Sequence, residues 1–495
     1  MASIDEIRKV KLEKLELLRA SGMEPFASEI SRDMTLAEVE ESFADLERSG
    51  EKKTLVGRVM ALRGQGAIMF VVLRDATGEF QVVFKKDDMP EGPFDLFSKT
   101  VDMGDFISVT GEFFITKRGQ NSMLARDWKM ATKTLLPLPE KWAGLQDTEE
   151  RYRKRYLDLL SNKETFDRFV MRGKIISAIR AYFDKKDFLE IETPILQNQA
   201  GGAMAKTFDT HHNDYDIDMV MRISLEIEHK MLMTGGYDRI YEIGKNFRNE
   251  GSDSSHIQEF TMMEWYAAYE SLDTNMNWTE ELLKSLASDV MGKMNFTVYD
   301  SEGEGVEVGF DGVWSRKAFA DIVKENADID ILSASRVDLE KKALEYRIDK
   351  DEMKNTGDAN LMDFIFKKSS RHKIIQPTFV TNYPGGLKPL AQQNEDGTAD
   401  VAQLIIAGAE ITNQYAELVD PIKERELLES QSKAKEAGDE EAMELNEEFM
   451  TAMEHGMPPM TGFGMGIDRI VAILTEQKNL RDTIFFPIMR PKDQD

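Results

Sequence analysis

The chain has 495 residues, 41% hydrophobic and 31% charged, with 63 Lys and Arg against 90 Asp and Glu and a net charge of −27. It has no cysteine, which excludes disulfides, cysteine nucleophiles and thiolate-held zinc, and leaves oxygen-ligated metals such as magnesium. No apolar run nears the roughly 18 residues of a membrane span, and the first residues, MASIDEIRKVKLEKLELL, lack a signal-peptide apolar stretch; a cytoplasmic protein of two to four domains is expected.

Residues 1–50 are expected to be a helical segment, with Val10, Leu12, Leu15 and Leu18 spaced among charges. From Thr54 the pattern changes to short β-rich runs broken by Gly, Asp and Asn: TLVGRVMALR, IMFVVLRDATGEFQVVFK, DFISVTGEFFIT and SMLARDWKMAT. About five strands in some 80 residues predict a small closed barrel of the OB type over residues 51–135. The overall acidity argues against nucleic acid, because phosphates demand a positive footprint. Residues 54–139, however, carry 11 Lys and Arg against 10 Asp and Glu, a local net of +1. That segment is the least hostile to a polyanion. LLPLPEKWAGL, with two prolines, reads as a linker within residues 136–150. Residues 151–495 mix helices (FVMRGKIISAIRAYFDKK) with strands (RIYEIGKNF, FTMMEWYAAY) and show no regular βαβ repeat. The expected fold class is α+β, with an antiparallel sheet and flanking helices. Residues 423–455 are a charged helical stretch, and its acidic run GDEEAMELNEE is a solvated face.

Three stretches carry chemistry. In KNFRNEGSDSSHIQEFTMMEWY, Arg248, Glu250 and His256 lie between two strand-like runs. The strand period of two then sets Phe260, Met262, Glu264 and Tyr266 on one face. A carboxylate among aromatics either lines a pocket for a cation or reaches water from an edge strand. In AGAEITNQYAELVDP, a regular strand would turn Glu410 away from Asn413, Tyr415 and Glu417 unless a bulge intervenes. A polar surface strand is the alternative there. TGFGMGIDRIVAIL fails the dinucleotide fingerprint, since its glycines fall at 462, 464 and 466. No Walker A loop exists either, because the Gly-Lys pairs precede Ile175, Asn246 and Met294. These glycines thin a strand so that something can lie flat on it. Arg469 then opens an apolar helix, where an arginine can meet a phosphate or stack on a base.

Together these stretches resemble the class II aminoacyl-tRNA synthetases, and the match to the lysyl-tRNA synthetases runs over roughly residues 5–491. FLEIETPIL (188–196) resembles motif 1, FRNEG…HIQEFTMMEWY (247–266) motif 2 and GFGMGIDR, within 462–474, motif 3. AGGAMAKTF, THHNDYDIDMVMRIS, PLPEKW and RYRKRYLDLL resemble lysyl-type signatures. The resemblance implies an N-terminal OB domain that reads the anticodon through Arg63, Phe70 and Gln81. It implies a catalytic domain over residues 151–495 that makes lysyl-adenylate from ATP and L-lysine, releases pyrophosphate and passes the lysine to the 3′ end of tRNA(Lys). Arg248, Glu250 and Arg469 match catalytic positions. Arg248, Glu250, His256, Phe260, Glu410 and Arg469 match the ATP site, with Phe260 under the adenine. Gly202 and Glu226 match groups at the lysine α-amine, with Arg248 on its carboxylate. Glu264, Tyr266, Asn413, Tyr415 and Glu417 match the group around the ε-ammonium. Mg2+ is implied with ATP, with Glu410 as a ligand and Gln403 where a second glutamate is usual. The resemblance also implies a homodimer and no membrane partner. Four residues depart from the pattern: Leu225 and Gln258 replace prolines, Ser255 an arginine and Gln403 a glutamate. The alternatives are a protein-lysylating paralogue, which the OB domain disfavours, and a nucleic-acid-binding relative without catalysis, which the retained Arg248, Glu250, Phe260, Glu410 and Arg469 disfavour.

Overall fold

The computed structural model describes residues 3–139, 145–203, 205–300, 303–349, 353, 356–436 and 445–492. Part of the expected linker (140–144), Met204 of AGGAMAKTF and part of the acidic run (437–444) lie outside the described residues. The chain forms two compact units, residues 1–146 and 147–495.

In the first unit, strands β1 (Lys53–Gln65), β2 (Ile68–Arg74), β3 (Glu79–Lys85), β4 (Phe106–Ile115) and β5 (Asn121–Thr132) close in the order β1-β2-β3-β5-β4. Closure works because β1 is long and irregular. A register shift between Val59 and Ala61 bends it, so that it pairs with β2 at one end and with β4 at the other. Alternate residues point inward: Val71, Leu73, Phe80, Val82, Phe84, Val109 and Met123 share one core. The two amino-terminal helices are not a segment apart. The helix Ile4–Ala20 contributes Leu18 and the helix Leu36–Ser49 contributes Val39, Phe43 and Leu46 to the barrel core. Phe43 stands 6.2 Å from Phe80 and 6.1 Å from Phe113, ring to ring. A capping box at Thr35 and Glu38 fixes where the second helix starts. In the first helix the buried stripe runs through Lys11, Leu15 and Leu18, and Val10 stays exposed. Sequence period alone puts Val10 on that stripe.

In the second unit, β6 (Leu189–Glu190) is followed by a small sheet of β7 (Leu196–Gln197), β8 (Asp209–His212) and β9 (Ile217–Met221). Next come β10 (Arg239–Phe247), β11 (Glu259–Ala268), the hairpin β12 (Asn295–Tyr299) and β13 (Gly305–Gly309), β14 (Ser315–Ala318), β15 (Thr378–Pro384), β16 (Thr398–Ile406), β17 (Ala409–Ala416) and β18 (Met460–Gly466). Eight of these build one sheet in the order β14-β15-β16-β17-β18-β11-β10-β6. Its centre is antiparallel as expected, but both edges are parallel pairs, β14 with β15 and β6 with β10. One face is packed. Met263 and Trp265 of β11 and Phe463 and Met465 of β18 join Ile175, Ile179 and Phe183 of the helix Lys163–Asp184 in one core. Trp265 stacks on Phe463 with centroids 3.3 Å apart. The alternate residues of the same strands face the other way, where the sheet carries a cavity.

Candidate active site

Phe260, Met262, Glu264 and Tyr266 of β11 all line a cavity of about 320 Å³, within the range of small-molecule sites. The floor follows from strand register. Met262 pairs with Gly466, Glu264 with Gly464 and Tyr266 with Gly462 on β18. Gly464 in turn pairs with Asn413 and Gly462 with Tyr415 on β17. Paired residues on adjacent strands point to the same face. The result is a trough whose floor is glycine backbone and whose walls are Glu264 and Tyr266 on one side, Asn413 and Tyr415 on the other. A side chain on Gly462 would put its Cβ 2.0 Å from Glu417 Oε1 and 2.7 Å from the Tyr266 ring. The glycine is therefore required by what crosses above it.

Glu410 also lines the cavity, together with Asn413 and Tyr415. A regular strand cannot put them on one side. The structure has the bulge that resolves this: Leu404 pairs with Thr412, but Ile405 pairs with Glu410, so Ile411 is the extra residue.

Arg248 follows β10 and lines the cavity with Glu250, His256 and Phe260. Its guanidinium donates to the Ile223 carbonyl at 3.3 Å and lies 5.2 Å from the centre of the Phe260 ring. Burial works against its charge, and Glu250, Glu264 and Glu410 act to keep it. Arg469 opens the helix Ile467–Leu474 and donates to the Glu410 carbonyl at 2.9 Å. That helix is anchored by Asp468, which accepts from the Thr261 amide at 2.7 Å and pairs with Arg172 at 2.6 Å. Two guanidinium groups and one aromatic ring thus face one space. His256 sits on the exposed loop after β10, held by Asp253 at 2.9 Å and by the Ser255 hydroxyl at 3.0 Å.

At the acidic end, Glu264 is buried. It accepts from the Ser224 hydroxyl and the Leu225 amide, both at 3.1 Å, and from the Tyr266 hydroxyl at 3.3 Å. All three donors are neutral. Leu225 can donate because it is not the proline of the resembled pattern, which has no N–H. Burial and the nearby Glu226 push the Glu264 carboxyl up to about 7. Glu226 opens the helix Glu226–Thr234 and lines the cavity. Gly202, at φ +76°, is pressed against it, and a Cβ there would fall 2.7 Å from that of Glu226.

Two residues of the expected set sit elsewhere. Glu417 is not among the cavity-lining residues; one of its oxygens lies over Gly462, beside the Tyr266 ring, and the other already has a cation, Lys230 Nζ at 2.6 Å. Gln403 is also off the cavity wall. Its amide donates to Asn413 Oδ1 at 3.2 Å, and Asn413 donates to the Tyr415 hydroxyl. Among the described residues no group of three or more His, Asp or Glu could cage a metal ion. Sequence reasoning missed Lys230, Ser224 and Lys388, the last of which lines the cavity near Tyr415. Only Lys230 left a signal, its four-residue spacing from Glu226 on a helix.

In the barrel, Arg63 pairs with Phe70, and Val72 with Gln81, so Arg63, Phe70 and Gln81 share one outer face. Phe70 is 39% exposed, which removes it from the core. Gln81 donates to the Ser122 hydroxyl at 2.7 Å.

A family model described as tRNA synthetases class II (D, K and N) matches residues 147–490, and one described as OB-fold nucleic acid binding domain matches residues 53–131. The chain belongs to the class II tRNA synthetases, and its activity class is that of an aminoacyl-tRNA ligase. Within that class, relatives that match over nearly the whole chain include lysine–tRNA ligases. The one from Lactococcus lactis subsp. lactis is 42% identical over 501 residues, covering 99% of this chain and 100% of the relative. The one from Enterococcus faecalis is 40% identical and covers 97% of each, and the one from Streptococcus suis is 41% identical with the same coverage. Among the described residues no helix is long and apolar enough to cross a membrane.

Proposed function

We propose that the protein activates L-lysine with ATP to lysyl-adenylate, releases pyrophosphate, and transfers the lysine to the 3′ end of tRNA(Lys). The observation that carries this is the polarity of the cavity. Arg469 stands at one end and Glu226 and Glu264 at the other, with Arg248 near both Arg469 and Glu264. A triphosphate suits the first and a diamino acid the second. Phe260, with Arg248 across its ring, suits a nucleobase. Arg248 stands between the two ends and would hold both the α-phosphate and the lysine carboxylate. In-line attack of that carboxylate on phosphorus then needs positioning and charge neutralisation, and no protein nucleophile. Glu226 would take the α-ammonium, and Glu264 with Tyr266 and Asn413 the ε-ammonium.

Magnesium fits as a companion of ATP. It is usually bound by one or two carboxylates together with substrate phosphates, and Glu410 offers one carboxylate on the cavity wall. The ion would supply charge neutralisation. Gln403 is engaged with Asn413, so the reading gives it no part in metal binding.

Pyrophosphate exchange into ATP, run with each of the twenty amino acids and without tRNA, tests this reading. Exchange with lysine alone is expected. Exchange with aspartate or asparagine, or with none, would overturn it.

The barrel face of Arg63, Phe70 and Gln81 is the proposed anticodon reader, with Phe70 as a stacking platform. Base–aromatic stacking contributes about 1–3 kcal/mol, so Phe70→Ala should raise the KM for tRNA(Lys) by roughly 5- to 150-fold. Pyrophosphate exchange should be unchanged; an unchanged tRNA KM would remove Phe70 from the interface. Two-fold association through the motif 1 stretch completes the reading, supported by its exposed Leu189, Ile195 and Leu196. A single-chain mass in equilibrium sedimentation would contradict it.

A further inference from the structure

Lys230 is fully buried, on the second turn of the helix Glu226–Thr234. Its ammonium lies 2.7 Å from Glu226 Oε1 and 2.6 Å from Glu417 Oε2. On a third side is Glu424, at 0% exposure in the first turn of the helix Pro421–Glu436. Neither Glu424 oxygen receives a hydrogen bond from any described residue. One cation therefore bridges two carboxylates, Glu226 at a helix start and Glu417 just after β17, while Glu424 at a second helix start lies close enough to act on its charge. Of these groups only Glu226 reaches the cavity wall. A buried ion cluster is poor evidence of stability, since well-packed apolar residues often serve as well. Its value is in fixing where charges point.

We propose that Lys230 is a positioning residue for amino-acid binding: from behind the cavity its ammonium holds the Glu226 and Glu417 carboxylates in place, with Glu424 completing the charge around it, so that the seat presents fixed acidic groups to a diammonium substrate. This rests on the reading that the cavity seats L-lysine. Without Lys230, Glu226 and Glu417 face each other and Glu424 with no countercharge, and buried like charges relieve themselves by taking up protons. A protonated seat attracts an ammonium poorly.

The groups that face Glu417 are Glu226 and Lys230 on the helix 226–234, Tyr266 on β11, Tyr415 near the end of β17, and Glu424 on the helix 421–436. The helix Glu447–Glu454 places the Phe449 ring 6.0 Å from Lys230 Nζ. Burial raises the Glu417 carboxyl to about 8; Lys230 draws it down, and Glu226 and Glu424 push it up. Glu424→Gln removes one of those pushes.

The test is pyrophosphate exchange with lysine and ATP varied separately, from pH 6 to 9, for the wild type, Lys230→Met, Lys230→Arg and Glu424→Gln. Lys230→Met should raise the lysine KM at least about tenfold, as loss of one partner of a buried charge pair does. The ATP KM should stay within about twofold, since a positioning residue of the amino-acid seat does not bind ATP. Lys230→Arg should recover most of the loss. Glu424→Gln should move to lower pH the upper step of the lysine KM profile, the one set by Glu417 at about 8, and leave the Glu264 step at about 7 in place. Equal changes in both KM values on Lys230→Met, or an unmoved upper step on Glu424→Gln, overturn the proposal. If Lys230→Met does not fold, the Glu424→Gln profile decides alone. A wild type that exchanges with no amino acid overturns the functional reading and the inference with it. A lysine-specific wild type with an indifferent Lys230→Met overturns the inference only.

Discussion

Arg248→Ala should abolish most adenylate formation, with pyrophosphate exchange falling roughly 100- to 1,000-fold, the range for removing one preorganised electrostatic donor. The size follows from where the guanidinium sits. It is half-buried, lies over the Phe260 ring, and is held by the Ile223 carbonyl. Little side-chain freedom is left to lose when substrates arrive. Its neighbours Glu250, Glu264 and Glu410 are carboxylic side chains that favour its charge. Removing it leaves an acidic cavity to receive a triphosphate and a carboxylate, so the loss should fall on kcat as well as on both KM values. Lys at this position should restore only part of the activity, because one ammonium cannot hold two anions with a planar fork. Exchange within about threefold of wild type in Arg248→Ala would mean that Arg469 carries the charge alone.

Glu264→Gln should weaken lysine selectively. The change keeps the shape of the side chain and removes the charge that the cavity turns toward a cation. A buried, hydrogen-bonded charge partner contributes about 2–5 kcal/mol when its mate is truncated. That is roughly 30-fold or more in the lysine KM, with ATP little affected. The same carboxyl makes binding depend on pH. Burial, with help from Glu226, raises it to about 7, while the Leu225 amide and the Ser224 and Tyr266 hydroxyls draw it back. Below that pH it carries a proton and offers an ammonium no charge. Lysine affinity should therefore fall as pH drops through 7, by up to about tenfold per unit, in a step separate from the Glu417 step at about 8. For stability the sign is opposite. The folded carboxyl holds its proton more tightly than an unfolded glutamate, whose ordinary value is about 4.3. Its contribution to stability is full below about 4.3 and is lost as pH rises through 7. Bound lysine compensates the ionised form, so the rise in Tm on adding lysine should be larger at pH 8 than at pH 6. An equal rise at both values would take Glu264 out of the ammonium site.

The alternation on β11 was legible because a strand has one period and both of its faces are demanding. Met263 and Trp265 must be dry, so Phe260, Met262, Glu264 and Tyr266 must face the other way. The five barrel strands were legible for the same reason. β17 was not, because a single inserted residue inverts every later side chain, and nothing in AGAEITNQYAEL marks Ile411 as the extra one. The parallel edge pairs β6–β10 and β14–β15 join segments far apart in sequence, which no local pattern reports. Lys230 escaped notice because i, i+4 spacing points to Glu226 but not to Glu417, which lies 187 residues further on. The resemblance set Glu417 beside the ε-ammonium. In the structure one Glu417 oxygen lies over Gly462 and the other meets a lysine of the chain itself, at 2.6 Å.

The glycine floor of β18 separates support from selection. A surface made of backbone has no rotamers and no titrating group, so its shape is set by the ladders to β11 and β17. Everything that distinguishes one amino acid from another stands on the two neighbouring strands, at positions 264, 266, 413 and 415. Those positions can be exchanged for basic or neutral side chains without touching the strand that carries the ligand's weight. A sheet organised in this way is a common bench with replaceable jaws, and changes of substrate can accumulate one wall residue at a time while the fold stays intact.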